Sequence, residues 1–239
     1  MKSSRWRNPI VLANESPRRF LMLAHRVRQE FSAGLHGVPS IAAAIVIIAT
    51  AAQSRAQEFT QEELRALPRI CHAQKFIDSS LHSRIVPEAE RKMWADKLGA
   101  PYEAFHHFCW ALIYMRRAND PSQSAYEKSN YQNALKNFEY VERNSTPSFV
   151  LLPEIYLRKG IALRFLGDEA AAAREFLAAI RTKADYTPAY ASLVDLYLDL
   201  RDPDAARAIL EQGLKQVPNS TILSKKKLEI ESREQGTQR

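Results

Sequence analysis

The stretch 153–220 is one 34-residue pattern written twice without a gap, and no other feature limits the fold of this chain as tightly. The first copy reads PEIYLRKGIALRFLGDEAAAAREFLAAIRTKADY and the second TPAYASLVDLYLDLRDPDAARAILEQGLKQVPNS. Tyr156 pairs with Tyr190 at this offset, Leu163 with Tyr197, Asp168 with Asp202, Ala172 with Ala206 and Phe176 with Leu210. The twenty-seventh position is small both times, Ala179 and then Gly213. A period of this length predicts a two-helix unit that cannot bury its apolar face alone and must stack on its neighbours. Two antiparallel helices cross closely only where small side chains meet, and an aromatic ring from each fills the space beside the crossing. Gly167-Asp168 and Arg201-Asp202-Pro203 mark the turns between helices, with Pro203 suited to the first turn of the next helix.

These residues resemble the tetratricopeptide repeat (TPR) signature. That signature places an aromatic at positions 4, 11 and 24, small residues at 8, 20 and 27, and Pro at 32. Gly160, Ala172, Phe176, Ala179, Ala206 and Pro218 fit it, whereas Lys159 at position 7, Val194 at 8 and Ala184 at 32 depart from it. The resemblance implies an all-α, TPR-type helical-hairpin solenoid. A divergent third unit over 104–152 precedes the two full repeats at 153–186 and 187–220. Its first helix is AFHHFCWALIYMRRA, with His107, Trp110, Ala111 and Tyr114 at positions 4, 7, 8 and 11. Its second helix carries Ala134, Phe138 and Val141 at 20, 24 and 27, after a polar insertion, PSQSAYEKS. Residues 221–239 predict a C-terminal capping helix whose apolar seam is Leu223, Leu228 and Ile230.

Residues 1–56 have a different character. IAAAIVIIATAA, at 41–52, is the long uninterrupted apolar run of the chain. As a helix it rises about 18 Å, short of a hydrocarbon core of about 30 Å. Arg18, Arg19, Arg26 and Arg28 precede it, and Ser54 and Ala56 follow at the −3 and −1 positions of a cleavage before Gln57. Basic, then apolar, then small-x-small is the order of a secretory signal. A signal with translation starting at Met22, an uncleaved anchor holding the chain to the inner membrane through 41–52, and a buried helix all stand as readings. The absence of a Cys directly after the run argues against a lipid anchor. Residues 1–56 hold 8 Lys and Arg against 2 Asp and Glu, a net of +6, leaving +1 of the chain's +7 for residues 57–239. The high isoelectric point therefore belongs to the leader, and no nucleic-acid partner is expected.

Residues 57–103 read as an N-terminal helical cap. Thr60 with Glu63 forms a capping box for a helix ending near Pro68, and PEAERKMWADKLGAP gives another, with Pro87 in its first turn and Gly99 past its end. LPRICHAQKF and HHFCWAL resemble the N-terminal part of some exported proteobacterial TPR proteins, a likeness that brings no activity with it. Three readings of Cys71, His72, His106 and Cys109 compete. They form a Cys2His2 metal set at a spacing foreign to known zinc modules, or a Cys71–Cys109 disulfide suited to an oxidising compartment, or two unpaired buried thiols.

No phosphate loop, dinucleotide fingerprint, H-E-x-x-H or G-x-S-x-G motif occurs, so neither an enzyme nor a cofactor is expected. In TPR proteins, positions 2, 5, 9, 12 and 13 of each first helix line the concave groove. The resemblance puts Phe105, Phe108, Leu112, Met115 and Arg116 there, then Glu154, Leu157, Ile161, Arg164 and Phe165, then Pro188, Ala191, Asp195, Leu198 and Asp199. Apolar anchors would hold a protein segment, oriented by Arg116 and Arg164 toward one end and Asp195 and Asp199 toward the other. The competing expectation is that these apolar residues pack against the cap or a dimer mate, and the sequence sets no oligomeric state. Ile161 and Asp195 occupy position 9, so the family's carboxylate clamp is missing. The expected function is a non-enzymatic scaffold of the periplasm, cleaved free or tethered to the inner membrane, binding an envelope protein or peptide during assembly or export. A redox or metal-dependent accessory role through Cys71, Cys109 and the histidines is the alternative. A subunit of a secretion, pilus or polysaccharide machine is a third.

Overall fold

The structure, a computed structural model, describes residues 59–74 and 86–237, with side chains to residue 232. The expected leader, residues 1–56, lies outside the described residues. Among these residues there is no strand, and no helix is long and apolar enough to cross a membrane.

Two short helices open the described chain, α1 (Gln61–Arg65) and α2 (Arg69–His72), followed by α3 (Glu88–Leu98) and a 3-10 turn at Ala100–Tyr102. The Thr60–Glu63 capping box closes as its sequence dictates. Glu63 N–H donates to Thr60 Oγ1 (3.2 Å), and Thr60 N–H donates to Glu63 Oε2 (2.8 Å). Pro87 takes the N-cap of α3 rather than its first turn, and Gly99 ends the helix at φ 66.

Three helical hairpins follow: α4 (Phe105–Ala118) with α5 (Glu127–Arg143), α6 (Leu152–Phe165) with α7 (Glu169–Thr182), and α8 (Thr187–Asp199) with α9 (Pro203–Gln216). Each helix packs on the next, α8 also touches α6, and α10 (Thr221–Thr237) packs on both α8 and α9. First helices thus line one side of the array. The insertion in the first hairpin forms a 3-10 turn at Pro121–Tyr126, capped by Asp120, whose carboxylate accepts from Ser122 N–H (2.9 Å).

The core sits where the small and large positions of the pattern meet. In the first hairpin Ala111, Ala134, Phe138 and Val141 are all fully buried. In the second, a Cβ on Gly160 would stand 2.5 Å from Phe176 Cε1, so only glycine admits that ring. In the third, a Cβ on Gly213 would meet Leu223 Cδ1 at 2.8 Å and Tyr190 Cγ at 2.9 Å. That contact seats α10 on the array through Leu223 and Ile230, both buried. Leu228, expected in the same seam, is 65 % exposed instead. Five residues after Leu223 on a helix, it has turned away from α8 and α9.

Candidate functional site

The concave side is built by the first helices of the hairpins, and the cap decides how much of it is open. A fully buried disulfide, Cys71–Cys109, ties α2 to α4 with a Cα–Cα separation of 5.6 Å. Arg117 closes the other end of this attachment with a bidentate pair to Glu63, Nε to Oε1 at 2.5 Å and Nη2 to Oε2 at 2.7 Å. Burial pushes the Glu63 carboxyl up, but the bonds from Arg117 and from the Thr60 N–H outweigh it and hold Glu63 below its ordinary value. His72 Nε2 donates to the Leu64 carbonyl at 2.9 Å, and Tyr102 OH donates to the Ala73 carbonyl at 2.7 Å. Phe59 lies edge-on to Tyr114 with centroids 5.4 Å apart. The cap thereby covers the flank of α4 that a preceding repeat would otherwise cover.

The segment joining α1 and α2 reaches further, over the concave side. Arg116 Nη2 donates to the Ala66 carbonyl at 3.3 Å. Between them opens a cleft of about 460 Å³. The cap contributes Glu63, Ala66, Leu67 and Pro68, α4 contributes Leu112, Ile113, Met115 and Arg116, and α6 contributes Arg158 and Ile161. Leu112 and Ile161 are partly exposed at its floor, and Arg116 is exposed at its rim. Arg158 Nε donates to Glu154 Oε1 at 2.5 Å, and Glu154 also accepts from Tyr186 OH. Sequence reasoning missed Arg158 and the whole cap wall. Position 6 carries no groove signature, and the cap wall meets residues of α4 that lie 50 and 54 positions away in sequence.

Several residues expected in the groove have other duties. Phe105 and Phe108 are 0 % and 5 % exposed. Their rings stack on each other at 4.9 Å, and Phe108 stands edge-on to Phe138 at 5.7 Å. They share one buried cluster with Leu64 and Leu67 of the cap, so they are core and not ligand surface. Leu157 is likewise buried. Arg164 and Asp199, expected to orient a segment from opposite ends, form an ion pair with each other across α6 and α8. Asp195 pairs with Lys226 of α10 at 2.5 Å, and Lys226 also meets Glu229 at 2.9 Å. Side chains of opposite charge on adjacent helices are within reach of one another, and pairing relieves both without a ligand. Among the described residues, Leu112, Ile161 and Arg116 stay open at the cleft, Pro188 and Leu198 are partly exposed, and the exposed Phe165 stacks on Tyr131 at 4.7 Å.

The cysteines and histidines of the cap and α4 do not form a ligand set, although the rings of His106, His107 and Trp110 pack within 4.5–4.8 Å of one another. Both sulfurs are bound to each other. His72 serves Leu64, His106 Nδ1 bonds the Glu103 carbonyl at 2.9 Å, and His107 Nδ1 bonds Asn137 Oδ1 at 2.6 Å. Burial, then the neighbouring His107, lowers the His106 pKa. Among the described residues no three His, Cys, Asp or Glu side chains are grouped to hold a metal. The metal and redox readings find no support in these contacts. A second cleft, about 470 Å³, runs past Glu139, Glu142, Tyr156 and Lys159. Both cations that line it have acidic partners: Lys159 Nζ contacts Glu142 at 2.6 Å and Glu175 at 2.8 Å, and Arg143 meets Glu139 at 4.0 Å.

Residues 166–227 match the family model described as tetratricopeptide repeat, which spans the turn before α7 through the first turns of α10. No curated protein matches the chain. Among solved structures, the first TPR of Spaghetti (RPAP3) bound to the HSP90 peptide SRMEEVD matches at 18% identity, over 53% of this chain and 94% of that one, with a TM-score of 0.38. The matched stretch takes in the second helix of the second hairpin, the whole of the third hairpin and the start of α10. The chain carries tetratricopeptide repeats over residues 166–227.

Proposed function

We propose that this chain is a non-enzymatic scaffold that holds a segment of another protein against the concave side of its repeats, and that it works in the bacterial cell envelope during assembly or export. The observation that carries the binding reading is the cleft between the cap and α4–α6. It leaves Leu112 and Ile161 partly exposed side by side at the floor of a concavity, with the exposed Arg116 at its rim. Apolar surface left in a concavity is a site for a partner more often than an accident of packing. The envelope reading draws support from the bridge between Cys71 and Cys109, since such bonds persist where thiols are oxidised, and from the basic, apolar, small-residue order of 1–56.

Photo-crosslinking amino acids at Leu112 and at Ile161, with a control at the exposed Lys136 of α5, test the binding half. Crosslinks to one protein from the first two positions and none from the third are expected. Equal labelling from all three would remove the concave side from consideration. A reporter active only in the periplasm, fused after Arg239, tests the location, and an inactive but stable fusion would overturn it.

A further inference from the structure

The charges around the cleft define what it takes. Glu63 is neutralised by Arg117, and Glu154 engages Arg158. Arg116 is different. Its guanidinium is exposed at the rim, its bond is to a carbonyl, and it has no acidic partner within ion-pair distance among the described residues. Beside it lies an apolar floor, Leu112 one turn earlier on the same helix face and Ile161 across from it on α6.

We infer that the cleft binds an extended protein segment in which an aliphatic side chain and an acidic side chain stand two residues apart. The aliphatic group enters between Leu112 and Ile161, and the carboxylate pairs with Arg116. This rests on the concave-side reading and names its ligand. The spacing follows from two geometries. Residues i and i+4 on a helix face have Cβ atoms about 5–6 Å apart. In an extended chain, side chains on one side recur every second residue, about 6.6–6.8 Å apart. A segment lying along α4 thus presents i and i+2 to Leu112 and Arg116 together. Such a segment replaces water around a planar guanidinium with two parallel charge-assisted bonds, while its aliphatic neighbour leaves water for the floor. The cap segment Ala66–Pro68 forms the opposite wall.

Fluorescence anisotropy with the full chain and labelled octapeptides tests this. The peptides carry Leu-x-Glu, Leu-x-Gln or Leu-x-Lys, in both orders, in a Gly/Ser background, titrated to about 1 mM, the weak end of specific binding. Leu-x-Glu in one order should bind about two- to fivefold tighter than Leu-x-Gln, the range of an exposed ion pair. Arg116→Ala should erase that difference without changing the helical circular dichroism, since its side chain is exposed. With Arg116→Glu the preference should pass to Leu-x-Lys. If all three peptides bind alike, and Ile161→Asp weakens them alike, the acidic preference is wrong while the concave-side reading survives. If no peptide binds, the inference falls, and the crosslinks at Leu112 and Ile161 decide separately whether the concave reading falls with it.

Discussion

The second and third hairpins share a register of 34 residues and differ in how they fill it. Both open their second helix with the same device: Asp168 accepts from Ala171 N–H and Asp202 from Ala205 N–H, each at 2.9 Å. Their crossings are solved in opposite ways. α6 and α7 use a void and a ring, Gly160 against Phe176; α8 and α9 use two medium side chains, Val194 and Leu210, both buried. One position earlier, α6 carries Lys159 where α8 carries Leu193. In the turns, Gly167 and Arg201 occupy the same place with φ 81 and φ 58. The lesson is that the repeat fixes summed volume and backbone path, while individual residues trade against each other within it.

Phe176 supports the larger share of its crossing, so its loss is the largest effect expected. Phe176→Ala should cost roughly 3–5 kcal/mol by leaving a cavity beside Gly160 that the helices cannot collapse to fill. Leu210→Ala in the third hairpin should cost less than this, because Val194 already occupies part of the space. Urea melts of both variants make the comparison, and equal losses would mean that the two crossings are not distinct solutions.

Gly160→Val transplants half of the third hairpin into the second. With a Cβ placed 2.5 Å from the Phe176 ring, overpacking should cost about 1–3 kcal/mol. Adding Phe176→Leu completes the exchange to the Val–Leu pair and should restore most of it. A double variant no better than the sum of its parts would show that the pairs are not interchangeable, and thermal melts read this directly.

How much of this was legible in the sequence depended on distance along the chain. The small–aromatic pairings were legible because the period puts Gly160 and Phe176 in one hairpin, and Ala111 and Phe138 follow the same rule despite the insertion. The reach of the cap was not. The Glu63–Arg117 pair and the Arg116–Ala66 bond join residues 54 and 50 apart, and nothing in either segment encodes the other. For that reason Phe105 and Phe108 read as groove by position and turn out to be core. Arg164, Asp195 and Asp199 read as free poles because the pairing of α6 with α8, and of α8 with α10, depends on how adjacent repeats face one another. Lys159 stood out only as a departure from pattern. Its reason is the Glu142–Glu175 pair that receives it, one carboxylate from each flanking helix.

Lys159 is 6 % exposed and ties α5, α6 and α7 together. Burial lowers its pKa, but the bonds from Glu142 and Glu175 outweigh that and leave it raised. Lys159→Leu, the residue of the third hairpin, should cost about 1–2 kcal/mol. It strands two partly solvated carboxylates, which forfeits less than a fully buried pair would. Lys159→Leu with Glu142→Gln and Glu175→Gln should return to near wild type. A group raised above its unfolded value stabilises fully below that value. The wild-type advantage over Lys159→Leu should therefore hold at neutral pH and fade as pH climbs past about 10.5 through the raised folded value. An advantage that survived at that pH would place its origin in packing by the lysine stem.

The smallest effect has the opposite sign. At the turn of the second hairpin the left-handed conformation falls on Gly167, which adopts it without a Cβ penalty; at the equivalent turn of the third it falls on Arg201, which does not. Arg201 is exposed, so its side chain makes little packing contribution to set against the strain. For an L residue this conformation costs about 1–2 kcal/mol, and glycine gives back part of any gain through the greater freedom of its unfolded chain. Arg201→Gly should therefore stabilise by about 0.5–1 kcal/mol, a rise in melting temperature of about 1–4 °C for a domain of this size. Gly167→Arg should lose a similar amount. The two substitutions together exchange the turns and should nearly cancel, because the sites lie on different hairpins and share no partner. If Arg201→Gly instead lowered the melting temperature, the guanidinium would be contributing a contact worth more than the strain it imposes.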